Sequence, residues 1–245
     1  MSRLWLIVPA AGVGRRMQAE CPKQYLPLAG RTVLAQSLVR LHTAFPAATL
    51  CLCLAQDDTE FDADAVPFDD WRRIDGGAER ADSVAAALAA IAAEAADDDL
   101  VLVHDAARPC VAPDDLARLL AAVSAEPDGA LLAVPVADTM KRAAADGRVA
   151  GTELRDGLWH ALTPQGARFA LLYDAYRAAS ARGLALTDEA SALEAMGHAP
   201  QLVAGRRDNL KITHPDDLAL AELILAAQAG SSDSPPTAAQ HKALT

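Results

Sequence analysis

The 245 residues are enough for one large α/β domain or two small ones with a sizeable core. A formal net charge of −11 argues against nucleic acid as a partner, which demands broad positive surface, but leaves room for an anionic small substrate if the cations gather in one pocket. Hydrophobic residues make up 52% of the chain but aromatics only 4%, so helices rich in small side chains are predicted, and no apolar run approaches the ~20 residues of a membrane span.

The chain opens on an apolar run without alternation, residues 4–8, which reads as a strand buried on both faces of a parallel sheet. It lacks the basic region and cleavage site of a signal peptide, so it is read as the first core strand of a cytoplasmic protein. The cysteines Cys21, Cys51, Cys53 and Cys110 have no metal-ligand spacing and read as reduced, mostly buried thiols. Directly after the first run come Ala10, Ala11, Gly12, Val13 and Gly14, then Arg15 and Arg16, with Lys23 shortly beyond. Glycines after a strand let the backbone approach a ligand, and their N–H groups can hold anionic oxygens. With only Glu20 to offset three cations, the reading is a loop that wraps a polyphosphate. The dinucleotide pattern G-x-G-x-x-G fails at Met17, and the Walker pattern is absent. What remains, followed by Pro22-Lys23-Gln24, resembles the signature loop of sugar-nucleotide and alditol-phosphate nucleotidyltransferases.

Residues 32–42 have helical apolar spacing with Thr32 as N-cap, 49–54 read as a second strand, and 56–70 as an acidic surface loop with a weak helix. Arg73-Ile74-Asp75 leads into Gly76-Gly77 and an alanine-rich helix to about residue 96. Arg80 and Ser83, at i,i+3, share one face of its first turn. Two glycines there can lie against a flat base, with Ser83 free to hydrogen-bond it. A strand at 100–104 then runs into Asp105 and Arg108, placed for chemistry because ligands of open α/β sheets gather at the carboxyl ends of strands. His104, without partners at ligand spacing, reads as a packed or hydrogen-bonded histidine. A helix at 113–124 and a strand at 130–136 follow.

The pairs Asp146-Gly147 and Asp156-Gly157 signal hairpin turns in a segment with too little apolar content to pack alone. It reads as a β-arm, about 138–162, that docks onto a second subunit. Beyond it, 163–165 close the excursion, 169–182 are helical, 187–191 cap a helix ending near 197, and 201–204 form the last strand. A final helix starts at His214-Pro215-Asp216-Asp217. The expected organisation is one domain over 1–229, arm included, and a flexible tail over 230–245.

The ordered set AAGxGxRM…PKQY, DGGxxRxxSV, HDAARP, DTMKR, LWHALTPQ, TDEASALE and DNLKIT, spread over 4–225, resembles the 2-C-methyl-D-erythritol 4-phosphate cytidylyltransferase family of the non-mevalonate isoprenoid pathway. The resemblance implies a Rossmann-like α/β fold with a mostly parallel twisted sheet flanked by helices, and a homodimer joined by the arm. It also implies transfer of CMP from CTP to a sugar-alcohol phosphate, 2-C-methyl-D-erythritol 4-phosphate, releasing pyrophosphate, with Mg²⁺ bound mainly through the CTP phosphates and no metal ligand assigned to the chain. By position, Ala10, Ala11, Gly12, Arg15, Arg16 and Lys23 would hold the triphosphate, with Arg16 and Lys23 stabilising the transition state. Gly77, Arg80, Ser83 and Ala106 would surround the cytidine. Asp105, Arg108, Thr139, Arg155, Thr163, Thr187 and Lys211 would serve the sugar phosphate, Lys211 counted with the catalytic group and Thr139 and Arg155 reaching the neighbouring subunit's site. Ala78 departs from the polar residue relatives often carry. Rival readings are a cytidylyltransferase for another alditol phosphate such as ribitol 5-phosphate, a Rossmann-type dehydrogenase and a nucleotide-sensing protein. The dehydrogenase is disfavoured because Leu54-Ala55-Gln56 ends the second strand without an acid.

Overall fold

The computed structural model describes residues 2–12 and 21–232. In chain order the strands are β1 (Leu4–Pro9), the two-residue pair β2 (Pro27–Leu28) and β3 (Arg31–Thr32), β4 (Thr49–Leu54), β5 (Trp71–Asp75), β6 (Leu100–Val103), β7 (Ala130–Pro135), β8 (Met140–Ala143), β9 (Val149–Glu153), β10 (Trp159–Arg168) and β11 (Gln201–Ala204). The helices are α1 (Val33–Ala44), α2 (Arg80–Ile91), α3 (Pro113–Ala125), α4 (Phe169–Ala181), α5 (Glu189–Glu194) and α6 (Asp216–Ser232). A seven-stranded sheet runs in the order β11-β7-β10-β6-β1-β4-β5. All its pairings are parallel except those of β10, which is antiparallel to both β6 and β7.

The unalternating apolar strands are explained by layers on both faces. From β1, Leu6 and Val8 join Leu50, Leu52 and Leu54 of β4 beneath α1 and α3. Trp5 and Ile7 point the other way, with Cys51 and Cys53, beneath α2 and α4. Thr32 caps α1 by accepting from the Ala35 N–H at 3.1 Å, and Leu34, Leu38 and Leu41 turn its apolar stripe inward. At α2, Glu79 and Asp82 form a capping box. None of the described helices is long and apolar enough to cross a membrane.

Several boundaries differ from the sequence reading. Residues 71–75 form a whole edge strand, β5, hidden because its arginines break the apolar pattern; Arg72 reaches Glu94 at 2.8 Å and Arg73 the Ala55 carbonyl at 2.8 Å. Helix α2 ends at Ile91, not 96. The excursion is shorter than 138–162, because Trp159, His160 and Ala161 already pair with Pro135, Val134 and Ala133 in the main sheet. Residues 163–165 continue that strand; the protruding part is the β8–β9 ribbon and its flanks. Last, α6 runs through Gly230 to Ser232, beyond the expected end at 229; residues 233–245 of the expected tail lie outside the described residues.

Candidate active site

Loops leaving the carboxyl ends of β1, β5 and β6 meet around a cavity of about 200 Å³. The β1 loop contributes Ala10, Ala11 and Gly12, and Lys23 follows from the next turn. Gln24 anchors that turn to β1 by donating from Nε2 to the Ala10 carbonyl at 2.7 Å. Opposite lie Gly77, Arg80 and Ser83. A Cβ on Gly76 would meet the Ala11 Cβ at 2.4 Å, and one on Gly77 would meet the Asp82 Cβ at 2.2 Å, so only glycine permits this close approach. Ser83 Oγ accepts from the Gly77 N–H at 3.1 Å and donates to the Glu79 carbonyl at 3.3 Å, so its hydroxyl shapes the glycine loop. Arg15 and Arg16 lie outside the described residues.

Asp105, Ala106 and Lys211 complete the wall. Asp105 is buried at the head of a charge cluster: Arg80 Nε donates to its Oδ1 at 2.8 Å, Lys211 Nζ lies 2.7 Å from Oδ2, and Arg108 Nε lies 3.7 Å from Oδ2. Burial alone would raise its pKa, but Arg80 and Lys211 overcome that and hold it well below the usual carboxylate range. Arg80 extends the cluster to Glu189, with Nη1 and Nη2 donating to the two carboxylate oxygens at 2.8 and 2.9 Å. Three cations against two carboxylates leave this cluster one positive charge. At the far end of the chain's contacts, Lys23 Nζ donates to the Ile212 carbonyl at 3.0 Å, beside Lys211.

A second cavity, about 400 Å³, adjoins the first through Lys211 and is walled by Arg108, Arg207, Asn209, His160 and Asp138. Arg108 Nη1 donates to the Asn209 carbonyl at 2.7 Å, while its buried Nε has no hydrogen-bond acceptor among the described residues. Thr163 is buried beneath Asp105 rather than in either cavity wall: its Oγ1 accepts from the Asp105 N–H at 3.0 Å. The same hydroxyl meets His104 Nδ1 at 3.2 Å, and His104 Nε2 meets the Arg108 carbonyl at 3.0 Å. That carbonyl can only accept, so the ring carries its proton on Nε2 and receives the Thr163 hydroxyl on Nδ1. Burial lowers the His104 pKa to about 4, keeping it neutral. Thr187 is exposed at the approach to α5. Thr139 and Arg155 are exposed on the excursion, outside both cavities, with Arg155 donating to the Ala137 carbonyl.

Sequence reasoning missed Glu189, Tyr176, Gln165 and Asn209. Gln165 locks the TPQ strand to the TDEAS segment, donating to Asp188 Oδ2 at 2.9 Å and accepting from the Ala190 N–H at 2.9 Å. Asn209 Nδ2 donates to the Thr163 carbonyl at 2.8 Å. The signal was present for Glu189, Gln165 and Asn209, which lie inside quoted motifs, but their chemistry is supportive and no spacing rule exposes it; Tyr176 lies in α4, outside every motif. Among the described residues, no group of three His, Cys, Asp or Glu side chains could hold a metal ion. The cavity's buried carboxylate, Asp105, is already saturated by cations, which suits a metal carried in on phosphates rather than one the protein holds.

The family model described as 2-C-methyl-D-erythritol 4-phosphate cytidylyltransferase matches residues 4–227. The chain belongs to that family. It is 66% identical over 231 residues to the 2-C-methyl-D-erythritol 4-phosphate cytidylyltransferase of Chromohalobacter salexigens, covering 94% of this chain and 93% of the relative. The protein of the same name from Escherichia coli O157:H7 is 51% identical over 223 residues, 89% of this chain and 92% of its own. Among solved structures, the Francisella tularensis 2-C-methyl-D-erythritol 4-phosphate cytidylyltransferase superposes with a TM-score of 0.79 at 34% identity, covering 91% of this chain and all of that one (100%). A 4-diphosphocytidyl-2C-methyl-D-erythritol synthase gives 0.80 at 36% identity, covering 92% and 99%. As a cytidylyltransferase family member the chain is a nucleotidyltransferase, and the α/β sheet described above is the fold of that family.

Proposed function

We propose that this enzyme transfers CMP from CTP to 2-C-methyl-D-erythritol 4-phosphate, giving 4-diphosphocytidyl-2-C-methyl-D-erythritol and pyrophosphate. The observation that carries the reading is the convergence of Lys23, from one end of the chain, and Lys211, from the other, on one cavity beside a glycine-walled loop. The triphosphate is assigned to the Ala10–Gly12 backbone, Lys23, Arg15 and Arg16, and the base to Gly77, Ser83 and Ala106 with Arg80. The second cavity, with Arg108 and Lys211 in its wall, is assigned to the sugar phosphate.

The chemistry is in-line attack by an acceptor phosphate oxygen on the α-phosphorus of CTP. The acceptor's second pKa is near ~6, so it is largely a dianion at neutral pH and needs no general base. The barrier is repulsion between two polyanions and the charge that grows on the α-phosphate and the leaving pyrophosphate. Fixed cations placed in advance lower it, Lys23 at the phosphates undergoing substitution and Lys211 between donor and acceptor; Arg16 is assigned to the same phosphates by its place in the motif. Mg²⁺ bound through the CTP phosphates would supply further charge neutralisation there. Thr163 and Thr187 are assigned to the acceptor side, Thr163 acting from beneath Asp105. The β8–β9 arm, carrying Thr139 and Arg155, is assigned to the site of a second copy in a cytoplasmic homodimer, with one domain to each chain.

Pyrophosphate release from CTP, with and without methylerythritol phosphate, tests the reading. Release that depends on this acceptor, and is weaker with ribitol 5-phosphate or with UTP, is expected. Equal release with ribitol 5-phosphate would move the acceptor assignment, and none with any acceptor would end the proposal.

A further inference from the structure

Glu189 is fully buried, yet the reaction uses neither its charge nor its protons. Its Oε1 accepts from Arg80 Nη1 at 2.8 Å and from the Tyr176 hydroxyl at 2.9 Å, and its Oε2 accepts from Arg80 Nη2 at 2.9 Å. Tyr176 is held protonated, first by its burial and then by the Glu189 charge, so it remains a donor. The carboxylate is the fixed end of this contact. The neighbouring Ala190 N–H is tied to Gln165, and Asp188 caps α5 through the Ser191 N–H at 2.9 Å. Arg80 is the held end, with Nε on Asp105 as its third anchor. A guanidinium has five N–H donors. Among the described residues three are engaged, which sets its plane and leaves two on a side chain that lines the first cavity.

We propose that Glu189, braced by the Tyr176 hydroxyl, is a positioning residue that fixes the Arg80 guanidinium for the nucleotide, an inference that rests on reading the first cavity as the CTP site. It separates cleanly from a simple charge effect. Glu189→Gln removes a negative charge close to a polyanion's site, so charge alone would tighten CTP binding. Positioning has the opposite sign, because a carboxamide has one acceptor oxygen and turns an N–H₂ toward the second arm of the fork.

The experiment is steady-state kinetics of the full-length enzyme with each substrate varied in turn, alongside thermal melting. For Glu189→Gln we expect the KM for CTP to rise about tenfold, while kcat and the acceptor KM stay within about twofold. Tyr176→Phe, which keeps the ring and loses only the brace, is expected to raise the CTP KM about threefold. A folded Glu189→Gln enzyme whose CTP KM is unchanged or lower overturns the proposal. If that variant does not fold, an unchanged CTP KM in Tyr176→Phe overturns it instead. Wild-type enzyme that takes no CTP removes the nucleotide reading and this inference together, whereas an active wild type with indifferent variants removes the inference alone.

Discussion

The ammonium of Lys23 is held 3.0 Å from the Ile212 carbonyl, so its charge is in place without reorganisation when a phosphate arrives. Losing such a contact to the transition state costs about 3 kcal/mol, on the order of a hundredfold in rate. Lys23→Ala is therefore expected to lower kcat by about that factor with little change in melting temperature. The same is expected of Arg16→Ala; stopped turnover assays against melting curves check both, and near-wild-type turnover would remove the mechanism. His104 makes a different kind of contribution. Its pKa falls from the ordinary 6.5 to about 4 because it is buried, so between those values the unfolded chain takes up a proton that the folded one refuses. Stability is expected to drop as pH falls from about 6.5 to about 4, by roughly 3 kcal/mol in all, and to lose nothing further through this residue below that. Denaturant titrations across that range, compared with His104→Asn, would show a flatter acid limb in the variant. Lys23, Arg80 and Asp105 were legible from sequence because glycines and strand ends mark them. Glu189 was not, because the residue it serves is 109 positions away.

At the scale of elements, two glycine positions make opposite demands. On β10, a Cβ at Gly166 would lie 2.2 Å from the Val101 carbonyl oxygen and 2.6 Å from Leu102 Cδ2, inside a sheet that cannot part. Gly166→Ala is expected to destabilise the fold by about 2–4 kcal/mol, read from the shift in urea midpoint or as insoluble expression. Gly147 has a φ of +80° at the tip of the arm and open space around it, so Gly147→Ala is expected to cost only about 1 kcal/mol, confined to the turn. The Asp-Gly turns were readable because a positive φ selects its residues locally. The start of β10 was not, since Trp159, His160 and Ala161 are exposed and lack the pattern of a buried strand.

For the molecule as a whole, the arm is a part that a single chain leaves uncovered. Leu154 is 86% exposed and Val149 64%, in a ribbon with no core of its own. If arms exchange between copies, mixing Lys23→Ala protein with Arg155→Ala protein creates heterodimers with one intact site. Random mixing is then expected to restore about a quarter of wild-type sites from two inactive stocks. Mixed stocks that stay inactive, with each variant properly folded, would place each arm in its own subunit's service.

Much of this protein was determined by its sequence alone. The both-faces-buried strands, the Thr32 cap, the glycine loops and the ordered motifs that carry the family are patterns of near neighbours, set by backbone geometry and side-chain periodicity. The tertiary structure alone decided that β10 runs against its neighbours, that β5 closes the sheet's edge, and that Lys23 meets Ile212 across 189 residues. Those contacts follow from how helices cover two faces of one sheet and bring distant loops to the same strand ends, where ligands gather.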